Sequence, residues 1–532
     1  MTATTIANLT TIAAASYGAG PALVDDDTTL TWSEVESRVT HLAANLVSLG
    51  IEHGERVVVS TAKSVLSHIT FHALLRIGAV VVPIDPRAPA SQAADIANLA
   101  RSSVVIADAA VVIKRGLAAE SDRWRLMISA TGECEGAEST TATLSNNRLP
   151  SAQAVRPPTV EPHHEAYIIF TSGSTGQPKG IVHTHASAVA YAHLAKDAHD
   201  LTEHDVLAGL APLHFDMSTL ELYAAPLAGS TVAPVPDSVL KFPSSVVEHS
   251  RKHSATVWYL VPTLSKLLVE RGGLKEHPVP SLRLVVYAGE SYPPTAVQEL
   301  MDAVPDAAIQ NAFGPAETNV VSVFAVNETT ARLDAIPIGE PWPGARFDLV
   351  RLDESAGADG ALFELWLAGS TMMAGYLGRS DLTASRMRTD SEGTAWYQTG
   401  DIVRKTEHGV VFVGRGDHQV KVRGVRLELE AIEAAIEKMP GVRTAVAMAV
   451  PPSNPEGVEV VVLGDSGIEL TQTAVRRHAA LVLNPAAVPS IVHFVDELPQ
   501  TQSGKLDRSR VRAAVASLNS AVSNASSRAP SD

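Results

Sequence analysis

The segment from Tyr167 to Gly180 combines residue types that bind phosphate. An apolar run at residues 166–170 leads into a loop of hydroxyls, glycines and one cation: Thr171, Ser172, Gly173, Ser174, Thr175, Gly176 and Lys179. Glycines let backbone N–H groups approach an anion closely, and the hydroxyl and ammonium groups add donors. The segment therefore indicates a phosphate-binding loop rather than a flexible Ser/Gly connection. It lacks the Gly-Lys-[Ser/Thr] pattern of P-loop NTPases.

Short apolar runs that alternate with amphipathic stretches would position this loop. We predict strands at residues 56–60, 80–84, 103–107, 166–170 and 282–288, and helices at residues 32–49, 93–100 and 294–304. Residues 151–165 are predicted to form an irregular lead-in, that is, a segment without regular secondary structure before the strand at 166–170. This alternation predicts an α/β architecture with largely buried strands.

The pattern changes after about residue 409. Short strands are predicted at 410–413, 420–424, 445–450 and 458–463, with helices at 429–439 and 471–483. They indicate a separate α+β domain of roughly a hundred residues, within the usual range for a domain. The Ser/Asn/Ala-rich tail from residue 517 lacks an apolar face and is expected to be disordered.

Composition excludes several classes of function. A chain of 532 residues is longer than one hydrophobic core usually supports, so more than one domain is expected. The net charge of −16 disfavours nucleic acid or an anionic membrane as a partner. The single cysteine, Cys134, excludes an intramolecular disulfide and a multi-cysteine metal site. No apolar run approaches the ~20 residues of a membrane helix, and the N-terminus is a poor secretory signal. We therefore expect a cytoplasmic protein.

Five further segments combine glycines, charged residues and apolar residues in characteristic short motifs. They are Leu74-Leu-Arg-Ile-Gly-Ala-Val-Val-Val-Pro-Ile-Asp-Pro86, Asn311-Ala-Phe-Gly-Pro-Ala-Glu-Thr318, Tyr397-Gln-Thr-Gly-Asp401, Gly414-Arg-Gly-Asp-His-Gln-Val-Lys-Val-Arg-Gly-Val-Arg426 and Leu498-Pro-Gln-Thr-Gln-Ser-Gly-Lys-Leu-Asp-Arg508. In this order, and with the loop at 171–180 as the phosphate-binding motif, they resemble the motifs of the adenylate-forming (ANL) superfamily, and the resemblance covers about residues 20–515. This superfamily comprises acyl- and aryl-CoA ligases, luciferases and the adenylation domains of nonribosomal peptide synthesis.

The resemblance implies the ANL fold: a large N-terminal multi-sheet α/β domain at residues 1–416 and a smaller, mobile α+β domain at residues 417–516. Residues 517–532 would form the tail. Asp417 matches the interdomain hinge, about which the small domain would rotate between two half-reactions.

The resemblance also implies a reaction with ATP and Mg²⁺, in which a carboxylate attacks the α-phosphorus and pyrophosphate leaves. Negative charge accumulates in that transition state, so metal and cationic groups should dominate catalysis. The implied catalytic residues are Thr171, Glu317, which would also bind the metal, and Lys505. The implied nucleotide-binding residues are the loop residues already given together with Gly289, Glu290, Ser291, Asn311, Ala312, Phe313, Gly314, Asp401, Arg415 and Lys505.

Two residues depart from the family pattern. In addition, three residues with an implied role in binding or catalysis have an alternative interpretation without such a role. Phe313 stands where the family usually has Tyr, and Ala316 where it commonly has Thr, so two hydroxyls are lost. Glu317 could be a solvated turn residue, Asp401 a turn or capping residue, and Lys505 a solvated loop cation.

The segment Leu213-His-Phe-Asp-Met-Ser-Thr-Leu-Glu-Leu222 resembles the Phe-Asp-x-Ser motif of amino-acid adenylation domains. There Asp216 would pair with the substrate ammonium, since a buried carboxylate is costly unless paired. Alternatively, Asp216 is a helix N-cap. His214 departs towards the pattern of CoA ligases.

The resemblance assigns a largely apolar lining to the substrate pocket, so the substrate side chain should be compact and apolar. The positions are Asp216, Met217, Leu220, Tyr259, Val286, Ala288, Ala312, Val320 and Val321, with Lys505. The set is similar to that of stand-alone L-proline adenylating enzymes. L-proline is therefore the favoured substrate, with a small branched amino acid such as valine second.

The acceptor thiol is expected to arrive on another molecule. About 27 residues follow Lys505, too few for a domain with a phosphopantetheine arm. We expect a discrete carrier protein with that arm; the alternative is an acyl- or aryl-CoA ligase that uses free CoA. A non-catalytic nucleotide-binding module is a third interpretation.

Four histidines, His163, His164, His183 and His185, lie close together in sequence. Their clustering is compatible with a metal site, but their Thr/Ala context favours ordinary surface or helix-start residues.

Overall fold

The computed structural model describes residues 3–108, 124, 126–129, 141–143, 158–171, 178–352, 361–416, 419–423, 425–451, 455–465, 468, 470–495, 497–499 and 510–515. They divide into a large unit, with described residues from 3–171 and 179–416, and a small unit that contains those from 419 onward. Several residues singled out from the sequence lie outside the described residues: Cys134, Ser172, Gly173, Ser174, Thr175, Gly176, Asp417, Lys505 and the tail from residue 517.

The large unit contains strands β1 to β22 among its described residues. They are β1 Pro21–Val24, β2 Thr29–Thr31, β3 Arg56–Ser60, β4 Val80–Pro83, β5 Val104–Ala107, β6 Leu126–Ser129, β7 Thr141–Thr143, β8 Glu165–Thr171, β9 Lys179–Thr184, β10 Val206–Gly209, β11 Thr231–Pro234, β12 Val257–Leu260, β13 Leu284–Ala288, β14 Ala308–Phe313, β15 Ser322–Val326, β16 Glu340–Pro341, β17 Arg346–Arg351, β18 Leu362–Ala368, β19 Gly375–Tyr376, β20 Met387–Thr389, β21 Ala395–Thr406 and β22 Gly409–Arg415.

The helices of this unit cover the faces of its sheets. They are α1 Leu9–Tyr17, α2 Trp32–Ser48, α3 Val65–Arg76, α4 Ala90–Ala100, α5 His185–Ala198, α6 Ala225–Ala228, α7 Asp237–Leu240, α8 Pro243–Lys252, α9 Pro262–Arg271, α10 Pro294–Ala303 and α11 Ser380–Arg386. A 3₁₀ turn at Asp216–Ser218 and a π-helical turn at Leu220–Ala224 precede α6; further 3₁₀ turns are Ile6–Asn8 and Thr330–Arg332.

Three sheets organise the strands of the large unit. One has the order β16-β15-β14-β13-β12-β10-β11-β1-β2, with β1 and β10 to β14 parallel to their neighbours along that run. A second has the order β19-β9-β8-β4-β3-β5-β6-β7, in which β8 and β9 are antiparallel. The third is antiparallel, β17-β18-β21-β20, with β22 on β21. Long parallel segments between helices confirm the predicted α/β architecture.

Side-chain caps set where several helices begin. At α2, Thr31 accepts a hydrogen bond from the backbone of Glu34, and the Glu34 carboxylate accepts one from the backbone of Thr31. At α5, Thr184 and Ser187 form the same reciprocal pair. Such boxes satisfy donors that a helix start leaves unpaired, so β9 turns directly into α5.

The largest hydrophobic core lies between the two large sheets. It joins Val57 and Val81 of one sheet to Val257 and Val286 of the other, together with Leu74 of α3. Seven of the residues that the sequence assigns to the substrate pocket belong to this core.

The small unit has a hairpin and a three-stranded sheet. Its elements are β23 Gln419–Val422, β24 Val425–Glu428, α12 Leu429–Glu437, β25 Val442–Val450, β26 Gly457–Gly464, α13 Gln472–Val482, a 3₁₀ turn Pro485–Ala487 and β27 Ile491–Val495. Strand β26 is antiparallel to β25 and parallel to β27. The predicted α+β character is confirmed.

Most predicted element boundaries agree with the structure within a few residues. The strand at 56–60 is reproduced as β3 and the helix at 32–49 as α2. Of the predicted lead-in, residues 158–164 are described and irregular, and β8 begins at residue 165. Among the described residues, no helix combines the length and the apolar character needed to cross a membrane.

Candidate active site

Many of the predicted site residues meet at the carboxyl ends of neighbouring parallel strands. Tyr259 belongs to β12, Val286 and Ala288 to β13, and Ala312 to β14, where it pairs with Ala288. Gly289, Glu290 and Ser291 follow β13 directly, and Gly314 follows β14. This edge is where open α/β sheets place ligands.

The turn after β14 needs glycine. A Cβ atom on Gly314 would lie 1.9 Å from the carbonyl oxygen of Asn319, so a larger residue cannot occupy this position. The Val321 amide donates to the Phe313 carbonyl at 2.9 Å, and the Asn319 side chain donates to the Thr219 hydroxyl at 3.2 Å. The loop that carries Glu317 is thereby tied to the segment that carries Asp216.

Glu317 is a fully buried carboxylate held by a tyrosine pair. Its Oε1 accepts a hydrogen bond from the Tyr376 hydroxyl at 2.8 Å, and the hydroxyls of Tyr376 and Tyr397 lie 3.2 Å apart. The Met373 amide donates to the Glu317 carbonyl at 2.7 Å. The Lys179 ammonium lies 5.6 Å from the centre of the Tyr376 ring. These contacts exclude a solvated turn residue at position 317.

The Glu317 carboxylate is of the kind that holds magnesium. Mg²⁺ prefers hard oxygen ligands and is usually held by one or two carboxylates together with phosphate oxygens. The described residues contain no group of three or more His, Cys, Asp or Glu side chains that could hold a metal ion.

His183 supports the backbone next to Glu317. Its Nε2 donates to the Ala316 carbonyl at 2.9 Å, and its ring stacks on Tyr167 with 4.9 Å between centroids. Burial lowers the pKa of His183 to about 4, although the Ala316 carbonyl and Glu317 favour the charged form. Burial likewise lowers the pKa of His185 to about 4. The surface interpretation is wrong for these two residues, because the β9–α5 junction packs both inside; His185 does begin a helix.

Asp401 and Arg415 form a buried pair on neighbouring antiparallel strands. Arg415 Nη1 donates to Asp401 Oδ1, and Nη2 donates to the Thr399 carbonyl at 2.9 Å. The Asp401 amide donates to the Thr399 hydroxyl at 2.9 Å. Asp401 lies within β21 and carries an oriented carboxylate, so neither a turn nor a helix-capping residue describes it.

Seven of the predicted pocket residues belong to one hydrophobic cluster. Each is less than a tenth exposed: Met217, Leu220, Tyr259, Val286, Ala288, Ala312 and Val320. Met217, Leu220 and Tyr259 also line a small cavity. Val321 lies elsewhere, packed with Ile338 and Leu365. Burial, helped by the nearby Tyr191 and Asp216, raises the pKa of Tyr259, so its ring is neutral.

Asp216 stands at the border of this cluster. It is partly exposed and begins the 3₁₀ turn Asp216–Ser218, where its Oδ1 accepts a hydrogen bond from the Met217 amide at 3.0 Å. The N-cap of that turn is Phe215, and it makes no side-chain cap. The N-cap interpretation of Asp216 is therefore wrong.

Several residues assigned to the nucleotide have structural partners. Glu290 Oε2 accepts from the amide and hydroxyl of Thr263, at 2.9 and 2.8 Å, at the start of α9. The Asn311 side chain donates to the Pro337 carbonyl at 2.8 Å. Ser291 is exposed, and Thr171 pairs with Lys179 across β8 and β9. The Thr171 hydroxyl makes no hydrogen bond within the described part of the chain.

Sequence reasoning missed Tyr376 and the role of His183. Tyr376 lies 59 positions from Glu317, and no local pattern connects them. Antiparallel pairing of β19 with β9 brings the tyrosine to the site.

Family models match both parts of the chain. The model of the AMP-binding enzyme matches residues 11–377, and that of the AMP-binding enzyme C-terminal domain matches residues 431–505.

Two similar relatives carry the same description, L-proline--[L-prolyl-carrier protein] ligase. The protein of Pseudomonas fluorescens is 31% identical over 93% of this chain and 96% of its own length. That of Streptomyces coelicolor is 32% identical over 93% of this chain and 94% of its own length.

A solved structure shares the fold. The Vibrio cholerae adenylation domain AlmE, in complex with glycyl-adenosine-5'-phosphate, is similar with a TM-score of 0.81 and 22% identity. The similarity covers 96% of this chain and 98% of that one.

Proposed function

The chain belongs to the family of AMP-binding enzymes and is an adenylate-forming ligase, and we propose that it activates the carboxylate of an amino acid, most favourably L-proline. In this reaction the amino acid and ATP give an aminoacyl-AMP and pyrophosphate. The aminoacyl group then passes to the phosphopantetheine thiol of a separate carrier protein.

One observation carries the choice of an amino acid. Asp216 is a carboxylate at the border of a cluster in which the other described residues assigned to the pocket are apolar or neutral. The α-ammonium of an amino acid, which in proline is the ring ammonium, would add a charge-assisted hydrogen bond to this carboxylate. A fatty or plain aryl acid has no matching charge.

The pocket lining supports a compact, apolar substrate side chain. Ala288 and Ala312 are small, Val286 and Val320 are branched, and all four side chains are buried and apolar. Proline fills a small apolar space and keeps its nitrogen positively charged. The two L-prolyl relatives support proline over valine.

At the other end of the site, the chain would orient the nucleotide. The Asp401 carboxylate, fixed by Arg415, would accept hydrogen bonds from the ribose hydroxyls, and half-buried Phe313 would stack on adenine. Gly289, Ala312 and Gly314 would leave space for the base at the strand ends. The loop from Thr171 to Gly176 and Lys179 would bind the phosphates. Glu317 would hold Mg²⁺, which offsets the charge that accumulates when pyrophosphate leaves.

Lys505 and Asp417 complete the proposal on the strength of their motifs alone. Lys505 would bridge the substrate carboxylate and a phosphate oxygen. Residue 417 would be the hinge of a domain at 417–516 that removes Lys505 before thiol transfer.

The amino-acid relatives favour a carrier protein as acceptor, and the use of ATP suits a cytoplasmic location. At His214 the sequence departs towards the pattern of CoA ligases. His214 Nε2 lies 3.8 Å from Asp85 Oδ2, and the residue lines a different cavity from Met217 and Tyr259. It therefore gives no support to an aryl acid in the proposed pocket.

Two assays test the proposal. The first measures exchange of labelled pyrophosphate into ATP with each of the common amino acids and several aryl acids; we expect exchange with proline and weaker exchange with valine. The second offers the enzyme a phosphopantetheinylated carrier protein or free CoA; we expect the carrier protein to become acylated. Exchange with aryl acids alone, or acylation of CoA alone, would contradict the proposal.

A further inference from the structure

A buried ion pair lies beside the proposed amino-acid pocket. The Lys63 ammonium donates to Glu221 Oε1 and to the Gly209 carbonyl, the latter at 3.0 Å. The two charged side chains are only 2% and 5% exposed. His68 Nε2 lies 3.5 Å from the same Glu221 oxygen.

The pair joins three elements that are distant in sequence. Lys63 lies between β3 and α3, Gly209 ends β10, and Glu221 belongs to the π-helical turn Leu220–Ala224. A Cβ atom on Gly209 would lie 2.5 Å from Glu221 Oε2, so the glycine makes room for the carboxylate. The ion pair therefore connects the π-helical turn to β10 of one large sheet and to the segment that follows β3 of the other.

That turn also shapes the pocket. Glu221 follows Leu220 directly and lines the same cavity as Met217, Leu220 and Tyr259. Asp216 lies five residues earlier, in the adjoining 3₁₀ turn. A shift of the π-helical turn would therefore move Leu220 and, through the adjoining turn, the carboxylate at position 216.

Stability alone does not account for this pair. Burying two charges costs desolvation energy, and the attraction between them offsets little more than that cost. A protein in which apolar residues of similar volume replace such a pair is often equally stable. Burial would raise the pKa of Glu221, but the Lys63 ammonium and His68 outweigh it, so the pKa lies below its ordinary value and the carboxylate stays charged. π-helical turns inside helical segments are frequent at functional sites.

We propose that Lys63 and Glu221 are positioning residues that fix the depth of the amino-acid pocket and so determine which side chain it accepts. The proposal rests on the amino-acid activation argued above. The two residues act through Asp216, Met217 and Leu220 and make no contact with the reacting atoms.

The test compares Glu221→Gln with a matched pair elsewhere in the large unit. Arg76 and Glu36 form a second mostly buried ion pair, 2.8 Å apart, between α3 and α2. For Glu221→Gln, we expect the KM for proline in pyrophosphate exchange to rise about tenfold, with the KM for ATP changed less than about twofold. The ratio of kcat/KM for proline to that for valine should fall. Glu36→Gln should lower the melting temperature and leave that ratio unchanged.

A second variant keeps the test decisive if Glu221→Gln does not fold. In Lys63→Met/Glu221→Leu both charges are replaced by apolar groups of similar length, so no unpaired charge is buried. We expect this protein to fold and to show the same loss of preference for proline. An unchanged ratio of proline to valine in a folded variant would overturn the proposal, as would an equal rise in the KM values for ATP and proline. Absence of amino-acid exchange in the wild-type enzyme would instead contradict the proposed function itself.

Discussion

At one end of the candidate site Glu317 and Asp401 are fixed by tyrosine, arginine and threonine partners, whereas at the other end Asp216 borders a cluster of apolar side chains. The first end holds its carboxylates through directional hydrogen bonds. The second end defines a volume through packing, and a buried ion pair lies beside it. Directional hydrogen bonds thus fix the end that we propose for the nucleotide, whereas packing defines the shape of the end that we propose for the amino acid.

The difference predicts that polar substitutions at the two ends have separable effects. Changes at the amino-acid end should alter the KM for the amino acid and the choice of substrate. Changes at the nucleotide end should alter the dependence on ATP and Mg²⁺ whichever amino acid is used.

The largest effect is expected for Asp216→Asn. The amide cannot neutralise an ammonium group, and an uncompensated charge at a desolvated site costs about 3 kcal/mol or more. We expect kcat/KM for proline in pyrophosphate exchange to fall more than about a hundredfold, since 1.4 kcal/mol corresponds to a factor of ten. The affinity for ATP, measured by calorimetry, should be unchanged; a parallel loss of ATP binding would show that the two ends are not separate.

A smaller effect is expected for Tyr376→Phe at the nucleotide end. Loss of the hydroxyl that orients Glu317 should raise the Mg²⁺ concentration needed for half-maximal exchange about tenfold, as for other partners that orient metal ligands. Binding of Mn²⁺ in the presence of ATP, followed by electron paramagnetic resonance, should weaken in parallel.

The matched control for Tyr376 is Tyr292→Phe. Tyr292 is also buried, and its hydroxyl hydrogen bonds to Ser265 at 3.0 Å. If both variants changed Mn²⁺ binding equally, the orienting role of Tyr376 would be wrong.

Ala288→Val tests the apolar end through volume alone. Ala288 is 4% exposed and lies in the cluster with Met217 and Tyr259. Two additional methyl groups should clash with a proline ring and lower kcat/KM for proline about tenfold, within the 1–3 kcal/mol that a methylene is worth in such pockets. Glycine and alanine should be affected less than proline, as pyrophosphate exchange with the three amino acids would reveal.

The smallest effect concerns pH and a histidine behind Tyr259. His199 Nδ1 donates to Gln310 Oε1 at 2.7 Å, its ring lies 6.3 Å from that of Tyr259, and burial lowers its pKa to about 4. As pH falls below 6.5, the unfolded chain binds a proton at this residue that the folded chain does not bind until about pH 4. The free energy of unfolding therefore decreases as the pH is lowered from about 6.5 to about 4. This group contributes a decrease of about 1.4 kcal/mol per pH unit.

Urea unfolding at pH 7.5 and pH 5.5 measures this contribution. In His199→Gln the decrease in the free energy of unfolding between the two pH values should be smaller than in the wild-type protein by about 1 kcal/mol. An equal decrease in both proteins would mean that folding does not change the pKa of His199.

Local features were predictable from the sequence to different degrees. The strand at 56–60 and the start of α2 follow from short-range patterns, an apolar run and a Thr-x-x-Glu capping box. The meeting of Tyr259, Ala288 and Ala312 follows from parallel pairing of β12, β13 and β14.

Long-range polar partners were not predictable. Lys63 and Glu221 are 158 positions apart in sequence. From the sequence alone, each would be interpreted as an ordinary charged surface residue, because only the fold shows that both are buried. The same holds for the contact between Tyr376 and Glu317. The packing of Val320 and Val321 was also not predictable. The motif assigns both residues to the pocket, but their side chains pack in different hydrophobic clusters.

We propose that Asp216 pairs with the positive charge on the substrate nitrogen. Pyrophosphate exchange by the wild-type enzyme with L-proline and with cyclopentanecarboxylate, which has the same ring size and no nitrogen, tests this pairing. We expect robust exchange with proline and none above background with the carbocyclic acid. Comparable exchange with both acids would show that the charge on the substrate is not recognised.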